Sequence, residues 1–478
     1  MSGRSMRTLS LSAFIYAAGD MLTKGARFIL VPFYVRCLTK YEVGALAILQ
    51  LITFAITPIF SLGLPMSVAR FYQDLAEKAD RFVSSLWCIG FGISLLGCSA
   101  LVIGLHHLPE AWTTQLSMQL LTLAVLAGFF RANCSILEKK YIIRHEPVNY
   151  RIFTFFQFLS STGLILYLII FRDLGLKGAV LGEAIAYGCW MLVSAVILFR
   201  SARPNFGVVN WRAIFTYAAP LAPHMIFMWA ISYSDRLILK AHVPFDQLAV
   251  YNSAYMMASV LPIFSLALKN AWLPDFFKLA EQDRTSGKDF GSKFSWYLLI
   301  CLLMCLGLIG CAPPLVEILL TPAYRDAARP MQLVAFGLIF HAIWIVFVNP
   351  LYYAKRTKTV AGISGIVMII NLLFNLLLIP RFNLLGAAAS TVVAYAAGAI
   401  LCFFLARKEY QMNLPFPALF KMALLFLAFV GLSLAWPAGS QPWLDLFLRG
   451  GVALLFPLFV WFIPGVMPGG LRTPFRSS

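Results

Sequence analysis

Tyr16, Asp20, Lys24 and Arg27 follow one another at spacings of four, four and three inside an otherwise apolar stretch. On a helix those spacings put all four side chains on one face. A charge in the middle of a bilayer costs about 2.5–3.5 kcal/mol on insertion scales, so such residues face protein or a water-filled cavity. Asp20 and Lys24 can neutralise each other as a purely structural pair. Arg27 is then a surplus cation, and that face suits an anionic head group. Asp235 and Arg236 are adjacent, with Lys240 one turn later; a structural pair, snorkelling and a cargo contact all fit them. Lys269, near the inner end of its apolar segment, either snorkels or contacts cargo. Glu183 is the one acid of its segment, either a satisfied interior glutamate or a protonation or cation site. Lys24, Arg27, Arg236 and Lys269 are therefore the candidate cargo-binding cations. Asp20, Glu183 and Asp235 are the candidates for ion coupling.

The elements that carry these residues fill the chain. Mean hydropathy is +0.81, with 60% hydrophobic and 12% charged residues over 478 positions, far from the composition of soluble domains. Apolar segments lie near 9–35, 43–62, 82–105, 112–137, 151–171, 176–199, 212–240, 246–272, 294–320, 331–353, 360–380, 384–406, 417–436 and 444–466. Each is long enough to cross a ~30 Å hydrocarbon core as a helix. Barrel strands are only about 9–11 residues long and alternate in polarity, so the fold class is an all-α polytopic membrane protein with about 14 transmembrane helices.

The net charge of +18 would suit nucleic acid, but its placement points to topology instead. With the N-terminus inside, the inner ends and loops hold 25 Lys/Arg, Arg131, Lys139, Lys140, Arg144 and Arg151 being counted to one loop. The outer side holds nine, Arg449 among them. That bias puts both termini in the cytoplasm. Arg4 and Arg7 before Ala17-Ala18-Gly19 faintly resemble a signal peptide, but the helix runs on past Asp20 to Leu38, so it is read as the first span.

The chain also repeats itself. Leu176-Lys177-Gly178-Ala179, with Ala186-Tyr187 behind it, matches Leu384-Leu385-Gly386-Ala387, with Ala394-Tyr395 behind it, at an offset of 208. Glu42-Val43-Gly44-Ala45-Leu46 is similar to Gln247-Leu248-Ala249-Val250-Tyr251 at an offset of 205. Six helices per unit is an even number, so the halves have the same orientation, as in alternating-access transporters. The expected organisation is an N-lobe over 1–205, a C-lobe over 206–410 and a C-terminal helix pair over 411–478, with the lobe boundary near 201–211. Pro220 and Pro223 make either a hinge or an ordinary kink in the seventh span.

Several functions are excluded by what is missing. No G-x-x-x-x-G-K-[ST] loop is present, so this chain hydrolyses no ATP. Nine scattered cysteines form no CxxC pair and no Cys/His cluster at metal-ligand spacing, so packing is their role and no metal or other cofactor is expected. No Ser/His/Asp or paired-carboxylate set shares a loop, and no large outer loop exists to serve a glycan polymerase or ligase.

Tyr41-Glu42-Val43-Gly44-Ala45-Leu46-Ala47-Ile48-Leu49-Gln50, continuing to Ser61-Leu62-Gly63-Leu64-Pro65 and Ala69-Arg70-Phe71, resembles the second-helix signature of the polysaccharide-biosynthesis (Wzx-type) flippases of the multidrug/oligosaccharidyl-lipid/polysaccharide exporter superfamily. Ala219-Pro220-Leu221-Ala222-Pro223-His224 leading to Ser234-Asp235-Arg236-Leu237 is similar to the family's second-lobe opening. Asn371 and Asn375, followed by Leu378-Ile379-Pro380 and Gly386-Ala387-Ala388, resemble its junction of helices 11 and 12, and Tyr324 with Ala327 and Ala328 also fits. The resemblance spans roughly residues 10–410. It implies two six-helix lobes around a central cationic cavity and transfer of undecaprenyl-diphosphate-linked oligosaccharide from the inner to the outer leaflet of the bacterial cytoplasmic membrane. Surface polysaccharide assembly (O-antigen, capsule or exopolysaccharide) follows as the expected context, with membrane lipids and other glycan-assembly membrane proteins as partners. It carries over no catalytic motif, so the chain is expected not to be an enzyme. The rivals are a drug/cation antiporter of the same superfamily, which would line its cavity with acids, a membrane-embedded glycan transferase or ligase, and a scaffold for a glycan-assembly complex.

Overall fold

The computed structural model describes residues 30–462 apart from 73, 76–77, 108–115, 145, 209, 219–220, 283–287, 438 and 440. Eleven helices among the described residues are long and apolar enough to cross a membrane. The segments read from sequence reappear as helices with ends moved by a few residues: Lys40–Ser61, Ala79–His106, Met118–Ile143, Pro147–Ile170 and Gly175–Ser201 stand for spans 2 to 6. The seventh is described as Trp211–Ala218 and Leu221–His242, on either side of residues outside the description, and the eighth is split into Phe245–Ala258 and Val260–Gln282. Spans 11 and 12 lie within Thr357–Glu409, which turns at Asn383, where φ is 48°. The first span lies almost wholly outside the described residues, and with it Tyr16, Asp20, Lys24 and Arg27.

The described residues gather in two compact units. One contains 37–237 and 244–249; the other contains 30–36, 238–243 and 250–462. Outward-facing positions are as apolar as inward ones: Leu96 is 74% exposed and Phe171 75%. Lipid tails are as apolar as leucine, so association rests on close packing and on small residues that admit it. In the first unit Gly128 meets Ile56 and the Thr53 backbone, and Gly182 meets the backbone of Ile165. A Cβ on Gly44 would overlap the Phe245 carbonyl.

The repeat is visible in the same terms. Gly178, in the first turn of Gly175–Ser201, lies against the Leu168 carbonyl of the preceding helix. Gly386, the residue aligned with it at an offset of 208, lies against the Leu378 carbonyl. Both hairpins turn through a left-handed backbone, at Asp173 (φ 50°) and Gly175 (φ 51°) in one and at Asn383 in the other. Glu42 joins the starts of two helices: one carboxylate oxygen accepts from Thr39 N and Oγ1, both at 2.9 Å, and the other from Leu176 N at 3.2 Å. Thr39 and Glu42 form a capping box. Glu42→Ala should therefore uncap two helices at once and cost on the order of 1–2 kcal/mol, readable as a lower melting temperature of the purified protein.

Two groups of charges read from sequence as loop or surface are internal. Lys140 is 2% exposed and pairs with Asp80 at 3.1 Å, which also accepts from Tyr72 Oη at 2.9 Å. Burial and the Asp80 carboxylate push the Tyr72 phenol up to about 12. Arg449, counted to the outer surface, lies inside Pro442–Phe462 at 4% exposure, bonded to Asp445 at 2.8 Å. It also donates to the carbonyls of Gly310 (3.2 Å), Ser433 (3.2 Å), Trp436 (3.1 Å) and Pro437 (3.0 Å). Proline explains the first two. The amides that would bond Gly310 and Ser433 in a continuous helix belong to Pro314 and Pro437, which have no N–H. The same device recurs: Gln332 donates to Ile309 O at 2.9 Å and Arg36 to Ile318 O at 2.9 Å. Their missing partners are Pro313 and Pro322.

Candidate functional site in the first helical unit

Ser117 starts the helix Met118–Ile143 by accepting from Leu120 N. That start places Arg131 near the helix midpoint. The sequence segment 112–137 puts it close to the inner end, and the charge count assigns it to a loop. The later start corrects this: Arg131 lies in the middle of a helix of membrane-crossing length. Gly128, one turn before it, has no Cβ and lets Lys40–Ser61 close in, and Thr53 Oγ1 donates to Ala124 O at 3.1 Å across the same contact. This brings Phe54 onto the guanidinium, whose Cζ is 4.7 Å from the ring centroid. Gly175–Ser201 supplies the other wall: Gly188 packs on Phe130, and the neighbouring Tyr187 ring lies 5.4 Å from Arg131 Cζ.

The stack continues. Phe54 meets Tyr233 at 5.6 Å between centroids, Tyr233 meets Trp229 at 6.3 Å, and Arg236 Cζ lies 5.3 Å from the Tyr233 ring. Tyr187, Arg131, Phe54, Tyr233 and Arg236 thus form a ladder of rings and guanidinium planes contributed by four helices. Stacking of this kind is worth about 0.5–2 kcal/mol per contact, more as water is withdrawn. It fixes a guanidinium by its faces and leaves its N–H edges for other partners. Arg131 Nη1 is buried without a hydrogen-bond partner among the described residues. Tyr187, Glu183, Tyr233 and Glu138 act on it electrostatically.

The residues singled out from sequence fall unevenly around this ladder. Asp235 and Arg236 are buried, at 2% and 3% exposure, and paired at 3.0 Å; Arg236 Nη1 also donates to Ser232 O at 2.8 Å. Glu183 is buried one turn before Tyr187 and within the field of Arg131. Lys269 is half-buried in Val260–Gln282, in the other unit. Asp20, Lys24 and Arg27 lie outside the described residues. Among the described residues no group of three or more His, Cys, Asp or Glu gathers as a metal site. Sequence reading missed Arg131, and the signal that would have found it is Ser117, a good N-cap one residue before a long apolar run.

Many helices long and apolar enough to cross a membrane, with guanidinium groups buried among them, define a multi-pass membrane protein. The family model described as polysaccharide biosynthesis protein matches residues 11–280, more than half of the chain, and the chain belongs to that family. A second model, lipid II flippase MurJ, matches residues 244–447. An uncharacterised membrane protein of Methanocaldococcus jannaschii is 28% identical over 214 residues, 44% of this chain and 42% of the relative. The probable low-salt glycan biosynthesis flippase Agl15 of Haloferax volcanii is 19% identical over 201 residues, 42% of each. The chain thus spans under half the length of the curated relatives it matches. In fold it is similar to lipid II flippase MurJ in an inward closed conformation, with TM-score 0.68 and 17% identity over 95% of this chain and 98% of that one. It is also similar to a mutant form of the Vibrio cholerae MATE transporter VcmN, with TM-score 0.61 and 13% identity over 86% and 99%.

Proposed function

We propose that this protein flips a lipid-linked oligosaccharide across the bacterial cytoplasmic membrane, its cargo being an undecaprenyl-diphosphate glycan destined for O-antigen, capsule or exopolysaccharide. The observation that carries the reading is Arg131: a guanidinium near the midpoint of a helix of membrane-crossing length, under the rings of Phe54 and Tyr187, with an Nη1 that finds no hydrogen-bond partner among the described residues. A diphosphate supplies acceptors in the fork geometry that arginine matches. Membership of the family and the flippases named among its likenesses support the same cargo class. Lys24, Arg27, Arg236 and Lys269 are the further cations we assign to the head-group path, and Asp20, Glu183 and Asp235 the acids through which an ion could be coupled. Glu183 has the clearest basis, because a carboxylate near Arg131 competes with cargo when ionised and yields when protonated.

In proteoliposomes loaded with a polyprenyl-diphosphate glycan, Arg131→Gln should cut flipping at least about tenfold at normal protein abundance. Arg131→Lys should retain an intermediate rate, because it keeps charge and loses the fork. Unchanged flipping by Arg131→Gln would remove the phosphate role. The rival antiporter is tested in the same vesicles: cation efflux driven by a proton gradient, with no glycan transfer, would replace our reading.

The orientation is a separate expectation, with both termini in the cytoplasm. With native cysteines removed, an impermeant thiol reagent added to intact cells should label Asp326→Cys and spare Arg203→Cys until the cells are permeabilised. The opposite pattern would invert the topology.

A further inference from the structure

We propose that the junction of residues 353–358 with 407–409, in the second unit, is a binding site for the phosphate of an anionic membrane phospholipid. The helix Asn349–Tyr353 stops with Lys355 in the left-handed region (φ 58°), and Arg356 N turns back to Leu351 O at 2.8 Å. This presents Lys355, Arg356 and Lys358 as closely spaced exposed cations where the next helix begins. That helix returns through Asn383 and ends on Arg407, Lys408 and Glu409, and Arg356 Nε bonds Glu409 Oε1 at 2.9 Å. Arg356 and Glu409 thus tie the two ends of the hairpin together, with Lys355, Lys358, Arg407 and Lys408 within two residues of that pair in sequence.

The junction has a shape as well as a charge. A recess of about 300 Å³ is lined by Tyr353, Ala354, Lys355, Arg356 and Glu409. Its Tyr353 belongs to an aromatic cluster: Phe276 packs on Tyr353 at 6.5 Å and on Tyr410 at 5.4 Å, and Phe290 on Tyr410 at 6.0 Å. Glu409 occupies one edge of the Arg356 fork, while the Arg356 side chain stays 58% exposed. Exposed rings lie close by in sequence: Phe404 is 53% exposed, Phe416 58% and Tyr352 46%. Topology alone accounts for cations on one side of the membrane. It does not account for a recess that holds Lys355 and Arg356, with Lys358, Arg407 and Lys408 adjacent in sequence and exposed apolar rings close by, which is the arrangement a lipid offering both phosphate and acyl chains would fill. Basic residues at such a surface contribute about 1 kcal/mol each toward anionic lipid and weaken with salt. The site is independent of the Arg131 ladder and of the flipping reaction.

The test uses the full-length protein in nanodiscs of phosphatidylcholine, with or without phosphatidylglycerol, read by hydrogen exchange of peptides covering 353–359 and 405–410. Exchange should slow several-fold with phosphatidylglycerol, and the protection should fall as salt is raised. The triple variant Arg356→Gln/Lys358→Gln/Arg407→Gln should lose it while melting like the parent in phosphatidylcholine. Should the triple variant fold poorly, Lys358→Gln and Arg407→Gln singly should each weaken the phosphatidylglycerol response by about fivefold. Equal exchange in the two discs overturns the proposal. So does equal protection by inorganic pyrophosphate in phosphatidylcholine discs, which would make this a soluble-phosphate recess. Protection seen only with added membrane proteins would assign the surface to a protein partner and overturn it as well.

Discussion

Arg449→Ala is expected to leave little folded protein. The substitution strands Asp445, itself 5% exposed, and removes the donor to four backbone carbonyls. Breaking a buried pair from one side costs about 3–5 kcal/mol, a large part of the roughly 5–15 kcal/mol that holds a domain together. Arg449→Lys keeps the charge but cannot reach Asp445 and both proline-interrupted helix ends at once, so it should fall between alanine and the parent. Asp445→Asn should be the mildest of the three, because the carbonyls keep their donor. Abundance and melting temperature in a mild detergent give the order. A melting temperature for Arg449→Ala within about 2 °C of the parent would refute the capping role.

Gly386→Val should be nearly as damaging, for a steric reason. A Cβ there would overlap the Leu378 carbonyl, and the obstacle is backbone rather than a side chain that can rotate away. Overpacking costs about 1–3 kcal/mol where side chains can adjust, and here it forces the hairpin open. The glycines grade the effect. Gly178 meets the Leu168 backbone at 3.1 Å and should be penalised less on substitution by alanine, while Gly362 has nothing within 4 Å. Gly362→Ala should be neutral or slightly stabilising, since alanine is the better helix former by up to about 1 kcal/mol. Equal melting temperatures for Gly386→Val and Gly362→Ala would disprove the close approach.

How much of this is legible in the sequence depends on which physical signal each feature carries. Segment length and hydropathy give the helices, because a bilayer imposes one length on all of them. The Leu-x-Gly-Ala repeat gives the paired hairpins, since glycine is needed where two backbones touch. Arg131 is hidden by a displaced helix start, 112 read from composition against Met118 in the structure, and nothing in local composition marks a cation as central or terminal. The rings of the ladder come from three other helices, so no spacing within one helix encodes it. Arg449 reads as surface charge for a related reason: the prolines that orphan its acceptors precede it by well over a hundred residues in one case and about a dozen in the other.

That separation has a consequence for the order in which the chain is built. Gly310 and Arg449 are 139 residues apart. At roughly 5–20 residues per second of synthesis, the interrupted end of the helix Lys288–Gly310 waits on the order of ten seconds for its donor. During that interval Gly310 O and Ile309 O lack the amides that Pro314 and Pro313 cannot supply, and Gln332 reaches only the second. The second unit therefore reaches its final hydrogen-bonding only once its last helix has been inserted. A nascent chain stalled or cut before residue 449 keeps an uncapped helix end at Gly310, whatever else of the unit has folded.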